Sequence, residues 1–423
     1  MRKNNGFRWK ALSQRQKMVL CWWTPQSAYS GYNGIIADGA IRSGKTFAMS
    51  FSFVQWAMTC YNGQQFAMCG KTIASFRRNV LGTLKQQLAA RGYNVKEHRA
   101  ENCMTVSKGG KNNEFYFFGG KDESSQDLIQ GITLAGAFFD EVALMPQSFV
   151  NQATARCSVT GSKFWFNCNP GNPQHWFYLE WVRKCRSRKM MYLHFTMDDN
   201  LSLAEDIKAR YRSQYSGVFY QRYILGLWTV ADGLIYDMMD TTANTYRPQD
   251  APVGFKSLST RTITCDYGTT NPTVYLDVYD DGEKVRVHRE YRWDSRKEHR
   301  QKTDEEYVDD FMEFMGKAPC AAIVDPAAAS FITALRQRGV YVMEGNNDVL
   351  NGIRKCSTLL SHRDLLISTD CEGLLDELGT YRWDDKAALM GVDKPIKQQD
   401  HGPDALRYYI NSLPDWRFER VQT

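Results

Sequence analysis

Residues 39–46 read GAIRSGKT, and this stretch decides how the first half of the chain is interpreted. It matches the pattern G-x-x-x-x-G-K-[ST], in which backbone N–H groups surround the phosphates of a nucleoside triphosphate. Gly39, Ser43 and Gly44 belong to the wrapping backbone. The pattern assigns Lys45 to the β- and γ-phosphates and the hydroxyl of Thr46 to Mg²⁺.

The flanking sequence has the order that such a loop requires. Residues 34–38 (GIIAD) form a short apolar run, which predicts a buried parallel strand. Residues 46–59 (TFAMSFSFVQWAMT) contain no Pro or Gly and predict a mostly buried helix, whose N-terminus would face the phosphates. A glycine-rich turn that binds no nucleotide is the alternative, and the order of strand, loop and helix disfavours it.

Two further apolar runs end in polar residues suited to the same site. Residues 134–141 (LAGAFFDE) predict a strand that ends at Asp140, a magnesium ligand through water, and Glu141, which would polarise the attacking water. Residues 163–170 (KFWFNCNP) predict a strand after which Asn169 could sense the γ-phosphate. Solvated carboxylates at a strand end are the alternative for the acidic pair. The carboxyl ends of the three strands should meet at one edge of a sheet, the usual ligand site of an open α/β sheet.

The second half of the chain carries three aspartates at comparable positions. Asp266 ends a predicted strand over residues 262–268, and Asp325 ends another over 321–325. Asp404 lies in the first turn of a helix that starts near Asp400. Each acid alone is typical of a helix cap or a solvated turn. Together they could bind two divalent cations that clamp the attacking and leaving oxygens of a phosphodiester.

Length and composition set the limits of the interpretation. A chain of 423 residues predicts two domains. We expect neither a membrane span nor a signal peptide, because no run of 18 apolar residues and no charged-then-apolar leader occurs. The 11 cysteines show no CxxC spacing, which favours reduced thiols in a cytosolic protein.

Charge is distributed unevenly between the two halves. Residues 1–231 contain 29 Lys and Arg against 14 Asp and Glu, whereas residues 232–423 contain 24 against 33. The basic half is therefore the better candidate for holding a nucleic-acid backbone. The sign changes near residues 231–232, where we place a domain boundary followed by a linker over about 232–255.

With these motifs in place, the chain resembles the large terminase subunit of tailed bacteriophages over nearly its full length. The resemblance implies an α/β protein with a P-loop NTPase domain over 1–231, including a helical lid at about 175–230. It implies a ribonuclease H-like nuclease domain over 232–423. ATP and Mg²⁺ are the implied cofactors, with Mn²⁺ an alternative at the nuclease site. Duplex DNA, the small terminase subunit, the portal protein and a ring of subunits on the prohead are the implied partners, and host cytoplasm is the implied location.

The family's roles carry over to particular residues of this sequence. Lys45 and Thr46 would hold phosphate and Mg²⁺, with Asp140 as a second magnesium ligand. The resemblance makes Glu141 the catalytic base, Asn169 the coupling residue and Arg42 a γ-phosphate sensor. The metal ligands of the nuclease fall on three aspartates and a nearby histidine: Asp266, Asp325, Asp404 and His401.

Some assignments stay open at the level of sequence. The glutamine that contacts adenine in this family is either Gln14 or Gln16. No arginine lies between Gly119 and Asp140, where some relatives place a trans-acting finger, and Arg156 is a weak substitute. A helicase or remodelling ATPase with a non-catalytic second domain is an alternative function. A structural protein with a degenerate nucleotide site is another, although the loop and the acidic pair are intact.

Overall fold

The chain was analysed as a computed structural model, which describes residues 7–269 and 271–418. These residues form two compact units, each with its own mixed α/β fold. The first unit contains residues 7–208 and Tyr220–Val230, and the second contains Ala209–Phe219 and residues 231–418. Every helix in the described ranges is too short or too polar to cross a membrane.

The first unit is built on an eight-stranded sheet. Its strands are β1 (Gly34–Gly39), β2 (Gln65–Gly70), β3 (Asn94–His98), β4 (Cys103–Lys108), β5 (Lys111–Gly119), β6 (Gly136–Phe139), β7 (Lys163–Asn167) and β8 (Met190–Phe195). They lie in the order β3-β4-β5-β2-β6-β7-β1-β8. The five pairings from β5 to β8 are parallel, whereas β3, β4 and β5 pair antiparallel. The adjacent, parallel β6, β7 and β1 confirm the three predicted strands.

Helices cover this sheet, and one of them directly follows the glycine-rich loop. The helices are α1 (Gln14–Cys21), α2 (Lys45–Cys60), α3 (Ile73–Phe76), α4 (Gly82–Ala90), α5 (Gln147–Ala155) and α6 (Glu205–Ser213). Phe53 and Trp56 of α2 are fully buried against Phe138 of β6 and Trp165 of β7. This large aromatic core confirms the buried helix and anchors the loop that precedes it.

The predicted lid at 175–230 differs from the structure. Met190–Phe195 is the strand β8, which pairs with β1 along its whole length and is not helical. Its backbone groups satisfy the free edge of β1. The helix expected at 204–225 stops at Ser213, and Gly217 has a φ of 52°. Single π-helical turns occupy Tyr178–Val182 and Tyr220–Ile224.

The second unit has a seven-stranded mixed sheet. Its strands are β9 (Thr245–Tyr246), β10 (Thr260–Asp266), β11 (Thr273–Asp280), β12 (Val285–Trp293), β13 (Ala321–Val324), β14 (Val342–Glu344) and β15 (Leu365–Ser368). They lie in the order β14-β13-β10-β11-β12-β15-β9. The helices are α7 (Gly217–Phe219), α8 (Phe255–Leu258), α9 (Asp304–Met315), α10 (Ala329–Gln337), α11 (Val349–Ser361), α12 (Glu372–Thr380), α13 (Asp385–Leu389) and α14 (His401–Ser412).

Helix α14 packs on the central strands β10 and β11. The Thr264 hydroxyl of β10 donates a hydrogen bond of 2.5 Å to the carbonyl of Ala405, which fixes the helix along the strand. The first turn of α14 therefore lies beside the carboxyl end of β10. This arrangement places the acids of the second unit.

The stretch expected as a linker, residues 232–255, is packed into the second unit. Ile235 and Tyr236 are buried, and the N–H of Ile235 donates to the carbonyl of Tyr381 at 2.8 Å. Strand β9 adds to the sheet edge beside β15. Apolar side chains within a polar stretch explain the difference, because their burial holds the segment against the sheet.

Candidate functional site

The glycine-rich loop joins β1 to α2 and needs glycine at both of its ends. Gly39 has a φ of 122°, and a Cβ there would lie 2.0 Å from the carbonyl oxygen of Phe195. Gly44 has a φ of 84° and is the N-cap of α2. Arg42 also has a positive φ, of 56°. The loop thus presents its backbone at the N-terminus of a 16-residue helix, a ready site for phosphate.

Lys45 is buried within this loop and surrounded by acceptors. Its Nζ donates to the carbonyls of Gly39 at 3.0 Å and Ala40 at 2.6 Å, and to Ser43 Oγ at 3.2 Å. It also reaches Asn169 Oδ1 at 3.1 Å. Burial lowers the pKa of Lys45 to about 8. A polyphosphate in the loop would stabilise the charged ammonium against this desolvation.

Two predicted magnesium ligands lie side by side. The Thr46 hydroxyl donates a hydrogen bond to Asp140 Oδ1 at 2.9 Å. Burial raises the pKa of Asp140, which is almost fully enclosed at the end of β6. A hydroxyl and a carboxylate are oxygen donors of the kind that Mg²⁺ prefers, so the pair fits that ion.

Asn167, at the end of β7, is a contributor that the sequence interpretation missed. Its Nδ2 donates to Asp140 Oδ1 at 2.8 Å and to Thr46 Oγ1 at 3.2 Å. Its Oδ1 accepts from the backbone N–H of Glu141 at 2.9 Å. Glu141 has a φ of 57°, and burial followed by the charge of Asp140 raises its pKa. A single amide therefore holds both acids and the hydroxyl in place.

Asp38 ends β1 immediately before the loop and has no exposed surface. It accepts hydrogen bonds from the Tyr192 hydroxyl at 2.9 Å and from Trp228 Nε1 at 2.7 Å. His194 Nδ1 lies 3.0 Å from Asp38 Oδ1, and this hydrogen bond raises the pKa of His194. Asp38 thereby ties β8 and the segment Tyr220–Val230 to the base of the loop.

The structure separates the two glutamines that the sequence left open. Gln14 is exposed, whereas Gln16 is buried and forms a capping box with Ser13 at the start of α1. The Nε2 of Gln16 lies 2.4 Å from the position that a Cβ would take at Gly44. Gln16 is thus the glutamine beside the loop. Arg156, at the C-cap of α5, stays only a predicted finger residue.

In the second unit, one cavity of about 1230 Å³ collects the predicted acids. It is lined by all four of the proposed metal ligands: Asp266, Asp325, His401 and Asp404. Asp400 lines it as well. The carboxyl ends of β10 and β13 and the first turn of α14 supply these residues, as the sequence pattern predicted.

Tyr408 connects two of the acids. Its hydroxyl donates to Asp325 Oδ2 at 2.8 Å and lies 3.5 Å from Asp266 Oδ1. His401 Nδ1 contacts the other oxygen of Asp266 at 2.8 Å. Burial raises the pKa of Asp266, and the charges of Asp404 and Asp325 add to the shift. Mutual repulsion among buried carboxylates is the condition that a divalent cation relieves.

Asp404 is engaged by two basic side chains. Arg407 Nη2 lies 3.0 Å from Asp404 Oδ1, and Lys397 Nζ lies 3.3 Å from Oδ2. Within residues 7–269 and 271–418, no three His, Cys, Asp or Glu side chains are arranged to hold a metal ion. The donor set nevertheless fits Mg²⁺ or Mn²⁺ in kind, since three carboxylates and an imidazole face one cavity.

A buried ion-pair network orients the first turn of α14. Glu377 accepts from the N–H of Gly402 at 2.6 Å and pairs with Arg292 Nη1 at 2.6 Å. Arg292 also pairs with Glu290, which accepts from the N–H of Leu374 at 3.0 Å. Sequence reasoning did not identify this network, because its members come from β12, α12 and α14.

Comparison with known proteins gives a consistent result. Residues 36–243 match the family described as terminase large subunit, T4likevirus-type, N-terminal. The crystal structure of the large terminase from a thermophilic bacteriophage is 52% identical, with a TM-score of 0.88 over 96% of this chain and 99% of that one. The ADP complex of the same phage protein is 52% identical, with a TM-score of 0.84 and coverage of 95% and 99%. Its ATP-gamma-S complex is 50% identical, with the same TM-score and coverage. No curated protein matches the chain.

Proposed function

This chain belongs to the family of large terminase subunits, and we propose that it drives phage DNA packaging with one unit and cuts DNA with the other. The observation that carries the proposal is the presence of two separate sites, one in each compact unit. The loop of the first unit gathers a lysine, a hydroxyl and two acids. The cavity of the second unit gathers three aspartates and a histidine.

The first unit hydrolyses ATP. Lys45 and the loop backbone bind the phosphates, and Thr46 and Asp140 hold Mg²⁺, which neutralises charge on the β- and γ-phosphates. Glu141 orients and polarises the attacking water, and its raised pKa suits a base that must accept a proton. Asn169, which contacts Lys45 at 3.1 Å, responds to the γ-phosphate. The ADP and ATP-gamma-S complexes of the thermophilic phage relative support nucleotide binding at this site.

The second unit cleaves DNA with divalent metal. Asp266, Asp325 and Asp404 supply carboxylate ligands, and His401 lies against Asp266. Bound cations would stabilise the attacking and leaving oxygens of the phosphodiester. The protein's own contribution is to hold the acids at one face of the cavity and to orient α14 through Glu377.

DNA is the substrate of both units. The first carries the basic excess of the chain and would hold the phosphate backbone during translocation. Packaging further requires the small terminase subunit, the portal protein and a ring of these subunits on the prohead. We place the protein in the host cytoplasm, with transient assembly at the portal.

A plasmid assay tests the proposal against its alternatives. The full chain is incubated with supercoiled plasmid, with Mg²⁺ or Mn²⁺, and with or without ATP. We expect metal-dependent cleavage together with ATP turnover. ATP turnover without cleavage under any metal would favour a helicase or remodelling ATPase, and loss of both would favour a structural role.

A further inference from the structure

Lys397 occupies an unusual position at the nuclease cavity. Its Nζ lies 3.3 Å from Asp404 Oδ2 and 3.5 Å from Asp400 Oδ2, although two-thirds of its side chain is exposed. The preceding backbone is held in place, because the N–H of Ile396 donates to the carbonyl of Arg382 at 3.0 Å. The ammonium therefore reaches the acids from a fixed point on the cavity rim.

Asp404 has a second cationic partner of a different kind. Arg407 lies on the same helix and bonds the other oxygen, Oδ1, with only 3% of its side chain exposed. It is enclosed by protein and remains with Asp404. Lys397 has a flexible four-carbon stem and open solvent beside it, so it can leave Oδ2 at little cost.

A metal ion at Asp404 must take the oxygen that Lys397 contacts. Mg²⁺ binds carboxylate oxygen at about 2.0–2.1 Å, so it would lie where the ammonium now lies. Two cations cannot share that position, because their repulsion is strong in a partly enclosed cavity.

We propose that Lys397 is a displaceable counter-ion of the nuclease site, which competes with the divalent cation for Asp404 Oδ2. The inference rests on the metal site of the proposed function. It implies that Lys397 sets how much metal the site requires before DNA is cut.

Mn²⁺ binding to the EDTA-stripped, dialysed full-length chain, followed by electron paramagnetic resonance of free Mn²⁺, tests the inference. Lys397→Met should bind Mn²⁺ roughly three- to tenfold more tightly than the unmodified chain, since a competing positive charge is gone. Lys394→Met is the matched control, because Lys394 is on the same loop and pairs with Asp384 at 3.7 Å outside the cavity. It should bind like the unmodified chain.

Asp404→Asn separates failure of the inference from failure of the site. The class of Mn²⁺ sites that this variant loses belongs to the cavity. If the unmodified chain has no such class, the metal site and the role of Lys397 are both wrong. If the class exists but Lys397→Met binds no more tightly than Lys394→Met, only the role of Lys397 is wrong. Thermal unfolding of each variant verifies that it is folded.

Discussion

Thr46 and Asp140 are 94 residues apart in the chain, yet the Thr46 hydroxyl donates a hydrogen bond of 2.9 Å to the Asp140 carboxylate. One residue begins α2 and the other follows β6. Their contact exists because β6, β7 and β1 are parallel neighbours whose carboxyl ends share one edge. The amide of Asn167 contacts both groups and also the backbone of Glu141.

Asn167→Ala should slow ATP hydrolysis at least about tenfold, because Asp140 and the backbone of Glu141 lose the group that orients them. Nucleotide binding should change much less, since the loop and Lys45 are untouched. Steady-state phosphate release and binding of a fluorescent nucleotide provide the two measurements. Asn33→Ala, an exposed asparagine that bonds the carbonyl of Arg188, is the matched control. Equal turnover by both variants would remove Asn167 from the site.

Asp38→Asn should lower the free energy of unfolding of the first unit by about 2–3 kcal/mol. An amide cannot accept all the hydrogen bonds from Tyr192, His194 and Trp228, which would leave a buried donor unpaired. Urea unfolding monitored by tryptophan fluorescence measures the change. Asp127→Asn, at an exposed carboxylate, should leave the stability unaltered within about 0.5 kcal/mol. Equal stability of the two variants would contradict the anchoring role of Asp38.

Local sequence was sufficient for the elements that carry the sites. The apolar run before the loop became β1, and the uninterrupted run after it became α2. The aspartates at 266 and 325 do end or follow strands, and Asp404 does lie in the first turn of α14. Each of these signals is contained within about ten residues, so no knowledge of tertiary contacts was needed.

Contacts that depend on strand register were beyond local pattern. The pairing of Phe139 with Phe166 makes Asp140 and Asn167 neighbours, but in sequence Asn167 and Asn169 are equivalent polar residues near one strand end. Asp38 meets His194 only because β8 pairs with β1, and Met190–Phe195 was expected to belong to a helical lid. Both errors have one origin, which is that pairing partners are set by the whole sheet.

DNA binding without metal should depend steeply on salt, because the first unit carries the basic excess. Replacing Arg183, Arg186 and Lys189 with Gln should weaken binding in EDTA and reduce the slope of log K against log salt. The control removes three charges from the acidic second unit by replacing Lys317, Arg336 and Arg338 with Gln. Fluorescence anisotropy of labelled duplex DNA across a salt series measures both. A larger effect of the control would place the DNA-binding surface on the second unit.

The central claim is that ATP hydrolysis and DNA cleavage reside in separate units, and two variants assayed for both activities test it most directly. Glu141→Gln should lose ATP turnover by about a hundredfold or more while retaining metal-dependent plasmid cleavage. Asp266→Ala should lose cleavage, because one metal ligand is gone, while hydrolysing ATP at the unmodified rate. This double dissociation is the result that we predict. Loss of both activities in either variant, with the protein folded by thermal unfolding, would contradict the account.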